Sequence, residues 1–400
     1  LAVTVREARP GRLLPHDVGV GLWPAAQRAL ERLGAPGRRL TMRSLEVPPA
    51  AYRSSAGAWL AQSAGRGVRV RTICENELRS FLYEEEEEEG GGFRWRDKGV
   101  TFGGGGAFDN AAYDLVIDAT GGGSEGGGNA SLGVSGIVTR AERATGGGSS
   151  KIRRVGGAEL FQGLPPRPFE TLVAPSVRVA VVPLSQDGVQ FFWFVSGMEH
   201  VLPAHNLQAS APLSAWLNAC ARTIDASTHV PMSAIIAESS SMTIRRVCAG
   251  ADTTHRSHEN NVVRIGDAAN HLPNNLAQGA SVAIEDGHAI GSIVALAAAV
   301  HASEKGEETD MSDTVAACIE AFTRLRAPRV RDCRNISWFT QYISDYPGLA
   351  GCMRFVPAPI NCRVFDAFLE ASLGGGGSDP DSVLGPASLA GPVRVGPQSF

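Results

Sequence analysis

The 400-residue chain has no Cys-x-x-Cys pair, no marked excess of one charge and no apolar run long enough to cross a membrane. Each gap narrows the field. The seven cysteines, at 74, 220, 248, 318, 333, 352 and 362, are odd in number and widely spaced. That excludes a disulfide framework or zinc-finger pattern and makes a reducing compartment the expectation. Lys and Arg number 37 against 41 Asp and Glu, a net charge of −4. Such a balance gives no whole-chain electrostatic case for nucleic acid or an anionic membrane. The longest apolar stretch, 289–300, falls short of the ~20 residues a membrane helix needs, so no integral membrane segment is expected. The opening LAVTVREARP resembles neither a signal peptide nor an amphipathic presequence. It has the character of the middle of a strand, so the chain is expected to begin inside a domain.

What is abundant is glycine, 47 of 400 residues, much of it in runs that belong to particular segments. A hydrophobic content of 43% excludes wholesale disorder. At about 150 residues per domain, the length predicts two to three domains.

Residues 2–7 (AVTVRE) form a short β-rich run ending in Glu7. In 19–34, Leu22, Ala26, Ala29, Leu30 and Leu33 recur at helical spacing, with Pro24 near the start and Gly34 as a stop. A helix is expected over 75–83, and the glutamate run 84–89 with its glycines is expected to be a solvated loop. Strands are expected at 100–102 and 113–119, and 121–150 is glycine- and serine-rich enough to predict mostly flexible chain. SVRVAVVPL followed by GVQFFWFVSG across a Gln-Asp-Gly turn is a hairpin signal, placing a sheet in 151–250 with a helix at 211–224. Strand 261–265, a loop, and helices at about 278–300 and 312–328 follow, then a Pro/Gly-rich tail from about 374.

The informative stretch is 264–287, RIGDAANHLPNNLAQGASVAIEDG. A strand delivers Gly266 and Asp267 at its carboxyl end, and Gln278-Gly279-Ala280 opens a long helix. Asp267 can accept hydrogen bonds from the vicinal hydroxyls of a polyol. Gly279 admits a ligand to the backbone, and free N–H groups at a positive helix end attract an electron-rich ring or an anion.

This stretch resembles the second FAD-binding motif of the single-component flavoprotein monooxygenases, the p-hydroxybenzoate hydroxylase-like family, roughly G-D-A-A-H-x-x-x-P-x-x-G-Q-G-x-x-x-A-x-E-D-A. Gly266, Asp267, Ala268, Ala269, Gln278, Gly279, Ala283, Glu285 and Asp286 align without gaps. The family's His falls on Asn270, its Pro on Asn274, its first loop Gly on Ala277 and its final Ala on Gly287. Three further stretches agree in order. Glu7 resembles the ribose-binding acid, GVGLWPAAQRALERLG resembles G-x-G-L-x-P-N-A-x-x-A-L-x-x-L-G, and 322–329 (FTRLRAPR) resembles Y-x-x-x-R-x-x-R.

The resemblance implies an α/β fold, a Rossmann-like FAD-binding domain, incomplete at its N-terminus, interrupted by a mostly antiparallel β-sheet substrate domain. Residues 1–150 would supply the first part of the FAD domain, 151–250 the substrate sheet, 251–345 the second part, and 346–400 an extension. In such enzymes NADPH or NADH reduces the flavin, O2 reacts with it, and an organic aromatic or hydrophobic substrate is hydroxylated or epoxidised. Gly266, Asp267, Gln278, Gly279 and Ala280 would hold the flavin end of FAD, and Glu7 the ribose. Pro273, Asn274 and Asn270, with His271, would line the reaction pocket, and no protein nucleophile is implied.

Departures from the family set the competing reading. The G-x-G-x-x-G phosphate loop should lie ~20 residues before the ribose-binding acid, and Glu7 leaves no room for it. The family's middle Asp becomes Thr120, with Asp118 two residues away as a partial substitute, and its helix Arg falls on Glu75, an acid that would repel a pyrophosphate. The alternative is therefore a non-catalytic relative or fragment that keeps the scaffold without FAD and acts as a binding protein. Asp286 is expected to tie down a neighbouring Arg and Trp193 to be core, with Arg43 a substrate-cavity candidate. His255 and His258 have metal-like spacing but no evident third ligand.

Overall fold

The computed structural model describes residues 17–32, 39–40, 42–49, 51–54, 59–61, 68–88, 114–119, 130–139, 169–174, 177–185, 190–198, 221–222, 224–225, 232–248, 261–270, 272, 276–303 and 311–345. Strand β1 (Gly19–Leu22) leads through Trp23 into helix α1 (Pro24–Glu31). Pro24 occupies the first helical turn, where its missing N–H leaves no bond unmade. Ala26, Ala29 and Leu30, three and four residues apart, form the buried face. Strand β1 pairs antiparallel with β5 (Val70–Cys74), which pairs in turn with β2 (Leu45–Val47) to complete a three-stranded sheet. Helix α2 (Glu75–Glu88) leaves the end of β5 directly.

A second sheet has seven strands in the order β11-β7-β10-β9-β8-β3-β4. These are β3 (Ala51–Ser54), β4 (Trp59–Ala61), β7 (Ala130–Thr139), β8 (Phe169–Ala174), β9 (Val177–Pro183), β10 (Gln190–Met198) and β11 (Ser239–Cys248). All its pairings are antiparallel except β3 with β8. The β9–β10 hairpin expected from the sequence forms, with Trp193 opposite Val181. Helix α3 (Met232–Ala237) precedes β11. Trp193 is fully buried, and its indole N–H donates to Ser239 Oγ at 2.8 Å, as expected of a core residue.

A third, two-stranded sheet joins β6 (Val116–Asp118) and β12 (Val262–Arg264) in parallel. Two long helices, α4 (Gly279–Ser303) and α5 (Met311–Asp345), cover it. Val263, Ile290, Ile293, Ile319 and Phe322 close the core between strand and helices. Helix α4 is long and apolar enough to cross a membrane by length and composition. Here it packs on α1, β1 and α5, with Glu285 and Asp286 buried along it.

Four sequence expectations need correction. Residues 84–88 are helical rather than loop, because glutamate is a good helix former and the helix started at Glu75 propagates through the run. The stretch 130–139, expected to be flexible, is a central strand hydrogen-bonded to β10 and β11 on both edges. Two ladders outweigh the low strand preference of Gly133 and Gly136. Helix α5 continues 17 residues past Pro328, from the expected end at 328 to Asp345. Pro328 is exposed while Val330, Cys333 and Ile336 are buried, so packing sustains the helix across the lost bond. Finally, the large sheet draws β3, β4 and β7 from outside 151–250. The 211–224 helix falls largely outside the described residues.

The small and large sheets meet where Gly19 faces Phe192. A methyl group added at Gly19 would stand 2.6 Å from both Cβ and Cγ of Phe192. Beside it, Thr72 Oγ1 donates to the Pro183 carbonyl at 2.7 Å, and Cys74, Ile137 and Leu184 fill the junction. The Gly19→Ala variant is expected to lose about 1–3 kcal/mol of stability in urea titration; a variant as stable as the parent would contradict this close approach.

Candidate functional site

Strand β12 runs out at a tight turn. The Ile265 N–H donates to the Asp118 carbonyl at 3.0 Å, extending the parallel pairing with β6 by one bond. Gly266 then adopts φ +56°, the left-handed region that favours glycine, and a Cβ there would press on the Ala283 Cβ at 3.1 Å. Its carbonyl accepts from the N–H groups of Ala269 and Asn270, closing one turn of 3-10 helix, Gly266–Ala268. Gly266 is buried and Asp267 beside it is exposed, so the turn carries an acid from the core to the surface in one residue.

Helix α4 begins alongside. Gln278 supplies its first carbonyl acceptor, to Val282 N–H at 2.9 Å. The first-turn N–H groups have no acceptor within a helix, and the helix end carries positive partial charge. A methyl group at Gly279 would meet only Asp267 Oδ1, at 3.5 Å. The carboxylate and the helix start therefore share one corner. Gln278 is 2% exposed, and neither its Oε1 nor its Nε2 has a hydrogen-bond partner. A buried amide in that state calls for a polar partner. Ala277, just before it, holds φ +50°, uncommon for a residue with a side chain.

Beneath this corner lies a clamp that the motif reading missed. The Trp23 indole N–H donates to the Leu276 carbonyl at 3.0 Å. The Trp23 backbone N–H donates to Ser281 Oγ at 2.9 Å, and that hydroxyl donates to the Gly21 carbonyl at 2.9 Å. Both residues occupy variable positions of the motifs, so the only signal was an aromatic at the strand-to-helix junction.

Behind the corner, four charges are buried together. Arg326 Nε donates to Asp286 Oδ1 at 2.6 Å, and its Nη2 to Glu285 Oε2 at 3.0 Å. Arg329 donates to both Glu285 oxygens at 3.2 Å, and Asp286 Oδ2 accepts the Gly266 N–H at 3.0 Å. This fulfils the expectation that Asp286 ties down an arginine. Burial alone would push the Glu285 carboxyl up. The Arg329 and Arg326 guanidiniums outweigh burial and hold it below its ordinary value.

Among the other sequence candidates, Asn270 lies in the Gly266 turn, half-buried. Asp118 sits at the end of β6, and its carboxylate pairs with Arg264 at 3.5 Å. Glu75 opens α2 and pairs with Arg79 at 3.2 Å. Arg43 is exposed. Burial first, then the Asp17 and Glu77 charges, push the Cys74 thiol up to about 12, so it is no thiolate nucleophile. Glu7, Thr120, His255, His258, His271, Pro273 and Asn274 lie outside the described residues.

These observations test the fit of FAD at its flavin end. An exposed carboxylate for hydroxyls, a glycine without a blocking side chain, an orphaned buried amide and a positive helix end suit the polyol and ring. The residues present fit.

The fold is shared with known structures. HpxO from Klebsiella pneumoniae, complexed with FAD and uric acid, matches with a TM-score of 0.58 at 16% identity, over 89% of this chain and 88% of that one. CtdE, in complex with FAD and a substrate, matches with a TM-score of 0.58 at 15% identity, over 92% and 91%. PqsL, a probable FAD-dependent monooxygenase from Pseudomonas aeruginosa, matches with a TM-score of 0.55 at 14% identity, over 86% and 91%. No protein-family profile matches the chain, and no curated protein matches it in sequence. At these identities the likeness establishes the fold alone, a mixed α/β architecture shared with these proteins.

Removing one partner of the buried network leaves charge uncompensated. Arg326→Met is expected to cost about 3–5 kcal/mol in denaturant unfolding, and a loss under 1 kcal/mol would contradict the network. Glu285 has a lowered folded-state value, so its contribution is complete above the unfolded carboxylate pKa, about 4.3, and is lost as pH falls through the folded value. Glu285→Gln should flatten that acid limb of the stability profile; an unchanged acid limb would argue against the pairing.

Proposed function

We propose that the chain is the scaffold of a FAD-dependent monooxygenase, with the flavin at the corner between Asp267 and the start of α4. The reading takes the α/β part as a Rossmann-like FAD domain interrupted by the sheet domain. The observation that carries it is the buried, unpartnered Gln278 amide beside Gly279 and the Asp267 carboxylate. Asp267 would accept hydrogen bonds from the ribityl hydroxyls. The N–H groups of Gly279 and Ala280 would face the pyrimidine edge, where a preorganised helix end contributes ~1–2 kcal/mol toward negative charge. Gly266 supplies the turn that turns Asp267 outward. Asn270, with Pro273 and Asn274, would line the oxygen side, Glu7 would hold the ribose, and Asp118 would substitute in part for the family's middle Asp. FAD, reduced by NADPH or NADH, would supply the O2 chemistry that hydroxylates or epoxidises an organic substrate; the protein binds, orients and excludes water.

An aromatic or hydrophobic substrate suits the large sheet. Phe192 and Phe194 stand on one face of β10 with ring centroids 6.1 Å apart, and Phe192 turns that face toward β1. Small-molecule complexes of the neighbours, uric acid in HpxO among them, support the same class.

The second reading, a binding protein without FAD, is favoured by Glu75 at the first turn of α2, an acid where the family carries a basic residue. Flavin titration decides between them. Asp267→Ala is expected to weaken FAD binding by roughly ten- to a hundredfold, the loss of a charged hydrogen-bond partner. Equal flavin affinity in mutant and parent would overturn the assignment, and a parent that takes up no FAD would leave the binding-protein reading.

A further inference from the structure

We propose that Trp23 is a positioning residue for this site: it locks the 276–281 corner in the conformation that aims the first turn of α4 at the cofactor. The proposal rests on the FAD reading. Trp23 is 3% exposed and sits among Leu272, Leu276, Val282, Val330 and Cys333. Its two donors reach acceptors 253 and 258 residues away in sequence, the Leu276 carbonyl and Ser281 Oγ. Only Ala277, Gln278, Gly279 and Ala280 lie between those anchors, and the last three are the flavin contacts.

The span between the anchors is strained. Ala277 holds φ +50°, and a residue with a side chain stays there only where its surroundings over-determine it. The Trp23 bonds supply that constraint from both ends of the span. Gly21 helps from the β1 side: a Cβ there would stand 3.4 Å from both Cβ and O of Ala277. Without the indole N–H, Leu276 loses its acceptor bond in a buried place and Ala277 is free to relax. Gln278 and Gly279 turn with it, and the helix end no longer points where charge develops on a reduced flavin.

Trp23→Phe keeps an aromatic ring, removes the indole donor and leaves a small cavity, and Ser281→Ala removes the acceptor of the Trp23 backbone N–H. Three quantities are read on the full chain: amide hydrogen exchange across 277–280 without cofactor, FAD affinity by fluorescence titration, and the midpoint potential of bound flavin. In Trp23→Phe we expect exchange at 277–280 to quicken about tenfold with α5 unchanged. FAD affinity should fall about tenfold and the potential should become more negative. Ser281→Ala should shift all three the same way. A merely structural tryptophan would lower the melting temperature and leave the potential in place. Folded variants with parental FAD affinity and potential would overturn the proposal, even with the parent binding FAD. A parent that binds no FAD would instead overturn the flavin reading, and the proposal with it. If Trp23→Phe does not fold, Ser281→Ala decides on the same readouts.

Discussion

The charged pairs between α4 and α5 constrain everything near the site. Glu285, Asp286, Arg326 and Arg329 are all nearly or fully buried, and taking four charges out of water is tolerable only with every partner in place. One arrangement satisfies them, so the relative setting of the two helices is fixed by electrostatics rather than by apolar shape alone. Asp286 uses one oxygen on Arg326 and the other on the Gly266 N–H. The turn that presents Asp267 is thereby referred to the helix whose start faces it.

A second set of contacts fixes the other half of the corner. The α4 start is tied to the β1–α1 junction through Trp23 and Ser281, while Tyr52 of the large sheet packs into the same apolar cluster as Trp23 and Leu276. Sheet, junction and helix start thus meet at one place. A ligand in that corner would contact elements held by independent interactions, which favours a preorganised site over one that forms on binding.

The corner was legible in the sequence because its chemistry demands particular residues. Gly266 stands where φ is positive, Gly279 opens the helix within van der Waals reach of the acid, and Asp286 was expected to tie down an arginine. At Ala277, where the resembled pattern has glycine, the backbone holds φ +50°. What escaped the sequence was whatever depends on distant partners. Strand 130–139 has Val134, Ile137, Val138 and Thr139 of its own, but they lie in a glycine- and serine-rich stretch that masks them, and two neighbours complete it. Helix α5 outlasts Pro328 because its far turns are buried. The Trp23 clamp joins residues more than 250 positions apart at variable motif positions, where local pattern has nothing to say. Residues 84–88 failed for a different reason, because a charge run was weighed as solvated loop when glutamate also favours helix.

The central claim is one of place: a flavin lies between the Asp267 carboxylate and the first turn of α4. The most direct measurement is a crystal structure of the protein grown with excess FAD. The account predicts density for the ribityl chain within hydrogen-bond distance of Asp267 and for the ring's pyrimidine edge against Gly279 and Ala280, with the Gln278 amide engaged. Ordered FAD bound at some other place, or that corner filled by side chains with the cofactor excluded, would contradict it.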